Sequence, residues 1–181
     1  MANEIKTWDG VGYASLKTFN GISAAGIKTI NGLLLVLASP SLGYFSGGLS
    51  SAYTTTTDGL TFSTDTTTQV TKGALSQARY LLAGANSSTL AYFSGGASGA
   101  NVTTTDGLTF STDTTTQVTK GALSQARYAL VGVNSSTLAY FSGGYSDGYA
   151  TTTDGLTFST DTTTQVTKGA LSQARYALAS A

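Results

Sequence analysis

Apolar residues in this chain come in short runs separated by polar stretches, not in helical stripes. Tyr128-Ala129-Leu130-Val131-Gly132-Val133 is apolar at both alternating positions, as a strand buried on both faces should be. Asn134 to Thr137 is a polar turn, and Leu138-Ala139-Tyr140-Phe141 is a second doubly apolar run, closed by Gly143-Gly144. From Thr151 to Thr160 the pattern changes, with Leu156 and Phe158 alternating with Thr157 and Ser159, the signature of a half-buried strand. A turn around Asp161 leads to a last, polar strand near Thr164 to Lys168. Threonine is β-branched and suits strands, and opposed Thr pairs add about 0.2–1 kcal/mol each. The stretch beginning at Arg127 thus predicts four strands, graded from buried to exposed. No helix is expected beyond a turn near Gly73 to Gln77.

This pattern recurs along the chain with a period of 48, for YFSGG begins at Tyr44, Tyr92 and Tyr140. The stretch TTTDGLTFSTDTTTQVTKGALSQARY recurs without a gap, placing Asp58, Asp106 and Asp154 in register, and likewise Arg79, Arg127 and Arg175. Each unit must therefore be one supersecondary building block. A weaker repeat of period 11 precedes them, reading IKTWDGV from Ile5, LKTFNGI from Leu16 and IKTINGL from Ile27. Asp9-Gly10, Asn20-Gly21 and Asn31-Gly32 are tight-turn signals, because Asn, Asp and Gly tolerate positive φ. A helical reading fails there, since each interior Gly costs roughly 1 kcal/mol. Residues 1–33 are therefore expected to form short strands and turns that serve assembly or attachment, and residues 34–181 the three larger repeats.

The order within a unit is a Gly-Gly doublet after an aromatic strand, a Thr/Asp strand and turn, then an Arg opening the next apolar strand. This resembles kelch repeats, whose blades of about 50 residues carry the same order. The matching positions are Gly47-Gly48, Asp65 with Thr68, and Arg79, with their later copies. The chain departs from the family where a Trp usually follows the turn, for Val70, Val118 and Val166 stand there. Thr-rich arrays of this kind, and the period-11 repeats, are similar to segments of bacteriophage tail-fibre and other virion proteins. The resemblance implies an all-β fold of tandem four-stranded blades, a kelch-like β-propeller with three blades per chain. Propellers usually need 4–8 blades, so completion by oligomerisation is expected, with Leu33 to Ala38 as first strand of blade one and Arg175 to Ala179 as an overhanging strand. The expected homo-oligomer is a dimer closing a six-bladed ring, or a trimeric fibre.

Charge and composition narrow the function. Lys+Arg and Asp+Glu both number 9, which leaves no basic excess to recruit nucleic acid or an anionic membrane. The longest apolar run, Leu33 to Ala38, is far short of the roughly 20 residues of a membrane helix. The opening residues lack the apolar core of a secretory signal. With no Cys and no His, thiol and imidazole catalysis and most zinc chemistry are excluded. Asp58 and Asp65 could form a glycosidase-like carboxylate pair, but Asp58-Gly59 reads as a bulge or turn and Asp65 as a turn cap. Calcium-loop spacing is missing. Arg79 is expected to bond loop carbonyls or an Asp across blades. No catalytic residue, metal or cofactor is expected.

The informative signal is the difference between copies. The loop after Gly-Gly reads LSSAYT at 49–54, ASGANV at 97–102 and YSDGYA at 145–150, between the identical YFSGG and the identical 26-residue stretch. Tyr53, Asn101, Tyr145, Asp147 and Tyr149 are the candidate ligand- or receptor-binding residues, since Tyr offers area with few rotors plus a hydroxyl. With the resemblance, this implies a non-enzymatic structural component of a phage-type virion (tail fibre, spike or surface decoration) for host attachment. It would be exposed on the virion surface, extracellular after release, and bound to other virion proteins through residues 1–33. The alternative is an adhesin- or lectin-like module that binds a host-surface glycan or protein.

Overall fold

The computed structural model describes residues 42–62, 70–112, 117–161 and 165–180, and, from Met1–Ser41, the backbone of six two-residue strands. The chain divides into two compact units, Met1–Ser41 and Leu42–Ala181. In the first, β1 (Thr7–Trp8) pairs with β2 (Val11–Gly12), β3 (Thr18–Phe19) with β4 (Ile22–Ser23) and β5 (Thr29–Ile30) with β6 (Leu33–Leu34), all antiparallel. The innermost pairs, Trp8↔Val11, Phe19↔Ile22 and Ile30↔Leu33, leave the Asp-Gly or Asn-Gly dipeptide alone between the strands. That is the two-residue hairpin the turn chemistry calls for.

The second unit is all-β and antiparallel. Its first sheet is β7 (Leu42–Ser46), β8 (Thr57–Thr61) and β9 (Val70–Lys72), in that order. Next come β10 (Ala83–Asn86), β11 (Leu90–Ser94), a small hairpin of β12 (Ala97–Ser98) and β13 (Ala100–Asn101), then β14 (Thr105–Thr109) and β15 (Val118–Lys120). The second sheet runs β10-β11-β14-β15. The third runs in sequence through β16 (Val131–Asn134), β17 (Leu138–Ser142), β18 (Thr153–Thr157) and β19 (Val166–Lys168). Register repeats with the sequence: Tyr44↔Gly59, Tyr92↔Gly107 and Tyr140↔Gly155 are equivalent pairs. Among the described residues there is no α-helix, and 3-10 turns occupy Phe110–Thr112 and Phe158–Thr160.

Side-chain alternation along β11 places the core on both faces of the middle sheet. Ala91 and Phe93 join Leu75, Leu108 and the half-buried Tyr44 and Phe110 between the first two sheets. Tyr92 turns the other way and joins Leu123, Leu130, Ala139, Phe141 and Leu156 between the second and third. Tyr44 stacks on Phe110 at 5.5 Å and Tyr92 on Phe158 at 5.5 Å, so the same aromatic pair seals both junctions.

Four local expectations need correction. Asp58-Gly59 and its copies are not turns: Asp58, Asp106 and Asp154 sit inside β8, β14 and β18, each paired on both sides. The apolar run from Arg127 becomes a strand only at Val131, because Ala129 has φ +51° and its N–H bonds the Leu81 carbonyl instead of a ladder partner. Arg175 to Ala179 is for the same reason no overhanging strand, since Ala177 has φ +52° and donates to the Ala129 carbonyl. The strand expected over Thr151 to Thr160 spans only Thr153–Thr157, and Phe158 starts the 3-10 turn that carries its ring onto Tyr92. The first strand expected at Leu33 to Ala38 is present only as β6, and residues 35–38 lie outside the described residues.

Tyr92 gives this core a pH signature. Its hydroxyl donates to Asp161 Oδ2 at 3.2 Å, a carboxylate that Lys120 also reaches at 3.2 Å. Burial, helped by the Asp161 charge, pushes the phenol up to about 12. A pKa raised on folding contributes stability that is complete below the unfolded value of 10.0 and disappears as pH climbs through about 12. The melting-temperature gap between the wild type and Tyr92→Phe is therefore expected to be constant up to about pH 9 and to shrink between about pH 10 and 12.

Candidate functional site

The variable loops leave the sheets at the Gly-Gly doublets. Both glycines of each doublet have positive φ, +66° and +97° at Gly95 and Gly96. A Cβ at Gly95 would lie 2.6 Å from the Arg127 carbonyl oxygen. The doublet thus does two things at once. It turns the chain out of β11, and it lets the next connecting segment pass close enough for Gly96 N–H to bond Arg127 O at 2.9 Å.

Beneath the loops, each connecting segment is locked onto the following sheet. Arg79 Nη1 donates to the carbonyls of Gly95 and Thr104 at 3.1 and 2.6 Å, and Nη2 to Phe93 O at 3.1 Å and Asp106 Oδ2 at 2.9 Å. Ser76 donates to the same carboxylate from N and Oγ, at 2.9 and 2.7 Å. Arg127, Ser124 and Asp154 repeat the arrangement one unit later, and both ion pairs are fully buried. Burial lowers both guanidinium pKa values, with the carboxylates offsetting part of the shift. The Arg expectation therefore holds, and the Asp residues are its partners. Gln117 and Gln165 reach back in the opposite sense, to Thr57 Oγ1 at 2.9 Å and Thr105 Oγ1 at 3.0 Å. These donors place the Asp106 and Asp154 carboxylates inside the junctions between sheets. Asp65 lies outside the described residues.

On this base the five predicted site residues separate. Tyr145 and Tyr149 pair across the third loop and meet edge-to-face at 5.6 Å. Asp147 is exposed at the tip between them. Tyr53, on the first loop, lies face to face with Tyr80 at 5.0 Å. Asn101 pairs with Ala97 in the small second-loop hairpin and is half-buried. Among the described residues no ring contact links Tyr53 to the third loop.

Compared with known proteins, the chain matches no family model and no curated protein sequence.

The residues missed by sequence reasoning are Tyr128 and Tyr176, together with Tyr80. Tyr176 stacks on Tyr149 at 5.1 Å with rings 4° from parallel and meets Tyr145 edge-on at 6.5 Å. Tyr128 exchanges both backbone hydrogen bonds with Tyr145 and tilts against its ring at 5.6 Å. Four tyrosines thus converge at the third loop, two supplied by the invariant stretch and two by the variable one. Attention to differences between copies could not find the invariant pair. For Tyr128 the signal was present in the Arg-Tyr dipeptide, because Arg127, anchored in the following sheet, fixes where the next ring must lie. Tyr149 and Tyr176 remain 59% and 48% exposed, so the cluster forms an open aromatic shelf with phenol groups and one carboxylate at its rim. Such a shelf can stack on an apolar ring face while its hydroxyls bond polar groups. Among the described residues no group of three His, Cys, Asp or Glu side chains gathers as a metal site would need.

Proposed function

We propose that this chain is a non-catalytic display protein, a kelch-like propeller array of a phage-type virion fibre or decoration, whose loop face attaches to a host-surface glycan or protein. The virion setting and the blade assignment rest on the sequence resemblance. The observation that carries the binding reading is the exposed four-tyrosine shelf at the third loop, built on a floor cross-linked by hydrogen bonds. Aromatic area held at little entropic cost is what a weak, repeated contact needs, and repetition on one particle multiplies it through avidity. Residues 1–33 then attach the array to other virion proteins. The same shelf would serve an adhesin- or lectin-like module outside a virion.

Saturable binding to host cells or to a glycan array is expected, with at least about a tenfold loss of affinity in Tyr145→Ala/Tyr149→Ala and an unchanged melting temperature. Undiminished binding by that double variant would remove the third loop from the reading.

A further inference from the structure

The two internal junctions are made by the same residues at the same spacing, and the two ends of the array carry the unmatched halves of a third. At the trailing end, Arg175 is exposed, whereas Arg79 and Arg127 are fully buried. Arg79 bonds Asp106 and Arg127 bonds Asp154, each 27 residues on, whereas no carboxylate among the described residues reaches Arg175. At the leading end, Asp58 occupies the strand position of Asp106 and Asp154 but is only half-buried, and Asn31 stands where its arginine would be in register. Among the described residues neither Arg175 nor Asp58 has a side-chain partner.

The apolar parts are unmatched in the same way. Phe45 is 56% exposed, against 6% for its copy Phe93, which packs near Leu75. Phe62 is 54% exposed, although Phe110 and Phe158 each stack on the tyrosine of the preceding sheet. Tyr140, the copy of that tyrosine in the last sheet, is half-buried, where Tyr92 is fully buried.

We propose that the outward face of the sheet β16–β19 binds the outward face of the sheet β7–β9 of a second copy of this chain. Arg175 and Ser172 of one copy seat on Asp58 of the other, Leu171 reaches Phe45, and Tyr140 receives Phe62. This goes beyond the proposed function and rests on it only in treating the three sheets as equivalent units. A cation meets an anion, an aromatic ring meets its stacking partner, and every contact has two precedents within the chain. The interface is head-to-tail, so its rotation decides between a closed ring and an open filament. The tyrosine loops stay accessible after docking, because Tyr53 is 40% exposed at a junction that is already complete.

The test is the solution mass of the full 181-residue chain by sedimentation equilibrium, read as multiples of 18.4 kDa. The wild type is expected to associate. Asp58→Arg and Arg175→Asp, both at positions outside the buried core, are each expected to weaken association about a hundredfold or more and to keep the wild-type circular dichroism. An equimolar mixture of the two variants is expected to associate again, because one supplies the intact arginine and the other the intact aspartate. A wild type at 18.4 kDa overturns the proposal. So do single variants that associate as the wild type does, or a mixture that stays monomeric. If residues 1–41 cover Asp58 in place of a second copy, the wild type is monomeric and Asp58→Arg lowers its melting temperature. Glycan binding measured on the monomeric variants scores the loop reading separately.

Discussion

Asp154→Ala is expected to lower the unfolding free energy by about 3–5 kcal/mol, the cost of leaving one member of a buried ion pair without its partner. The Asp154 carboxylate accepts from Ser124 N at 3.0 Å, Ser124 Oγ at 2.6 Å and Arg127 Nη2 at 2.9 Å. Its loss strands a fully buried guanidinium and an amide N–H together. The Gly143 and Thr152 carbonyls still accept from Arg127 once the carboxylate is gone, but they carry no negative charge to offset a buried guanidinium. Asp58→Ala changes the same residue type at the same strand position and is expected to stay within about 1 kcal/mol in the unassociated chain, since no arginine reaches it. Urea titration of both variants at low protein concentration makes the comparison. The double variant Arg127→Met/Asp154→Ala is expected to be less destabilised than Asp154→Ala alone, as removing both charges removes the stranded one. Equal losses for Asp154→Ala and Asp58→Ala would show that the buried pair does not hold the junction.

Gly132→Ala is the second large effect expected. A Cβ at Gly132 would overlap the carbonyl oxygen of Gly84 and lie 2.8 Å from its carbon. Both obstacles are backbone, so β10 and β16 must separate, opening the core they share. Overpacking of this kind costs about 3 kcal/mol at the upper end of its usual range, or roughly a 6–12 °C fall in melting temperature for a unit of this size. Gly84→Ala is the control. Its Cβ meets nothing nearer than the Phe93 ring at 4.0 Å, and the swap is expected to be neutral or slightly stabilising. Thermal melts of the two variants should therefore move apart. Parallel shifts would mean that the contact between the two strands is not limiting.

What the sequence disclosed, and what it hid, follows from the range of the physics involved. The hairpins of Met1–Ser41 depend on dipeptide turn chemistry and could be placed from Asp-Gly and Asn-Gly alone. The strand at Leu138 depends on a continuous apolar run and the one at Val166 on β-branched residues after a turn, and both were equally legible. Asp58-Gly59 misled because the turn preference of Asp-Gly is local, while ladder pairing on both sides, with Phe45 and with Thr71, holds Asp58 in the middle of a sheet. Ala129 shows the same limit from the other side. Nothing about an alanine announces positive φ, and only the Leu81 carbonyl waiting across the junction requires it. At the site, Tyr145 and Tyr149 stood out as departures from the repeat. Tyr128 and Tyr176 did not, because their role comes from the neighbours that each junction brings to them.

The lock between Arg127 and Asp154 also bears on how such a chain can change in length. Each unit closes onto its successor with the same key and the same socket, so inserting or deleting one whole repeat between any two units leaves every remaining lock in register and both ends unaltered. Unequal crossing-over within a gene for this chain would then yield folded products of new lengths. Meanwhile each loop can mutate on its own, since no lock passes through it.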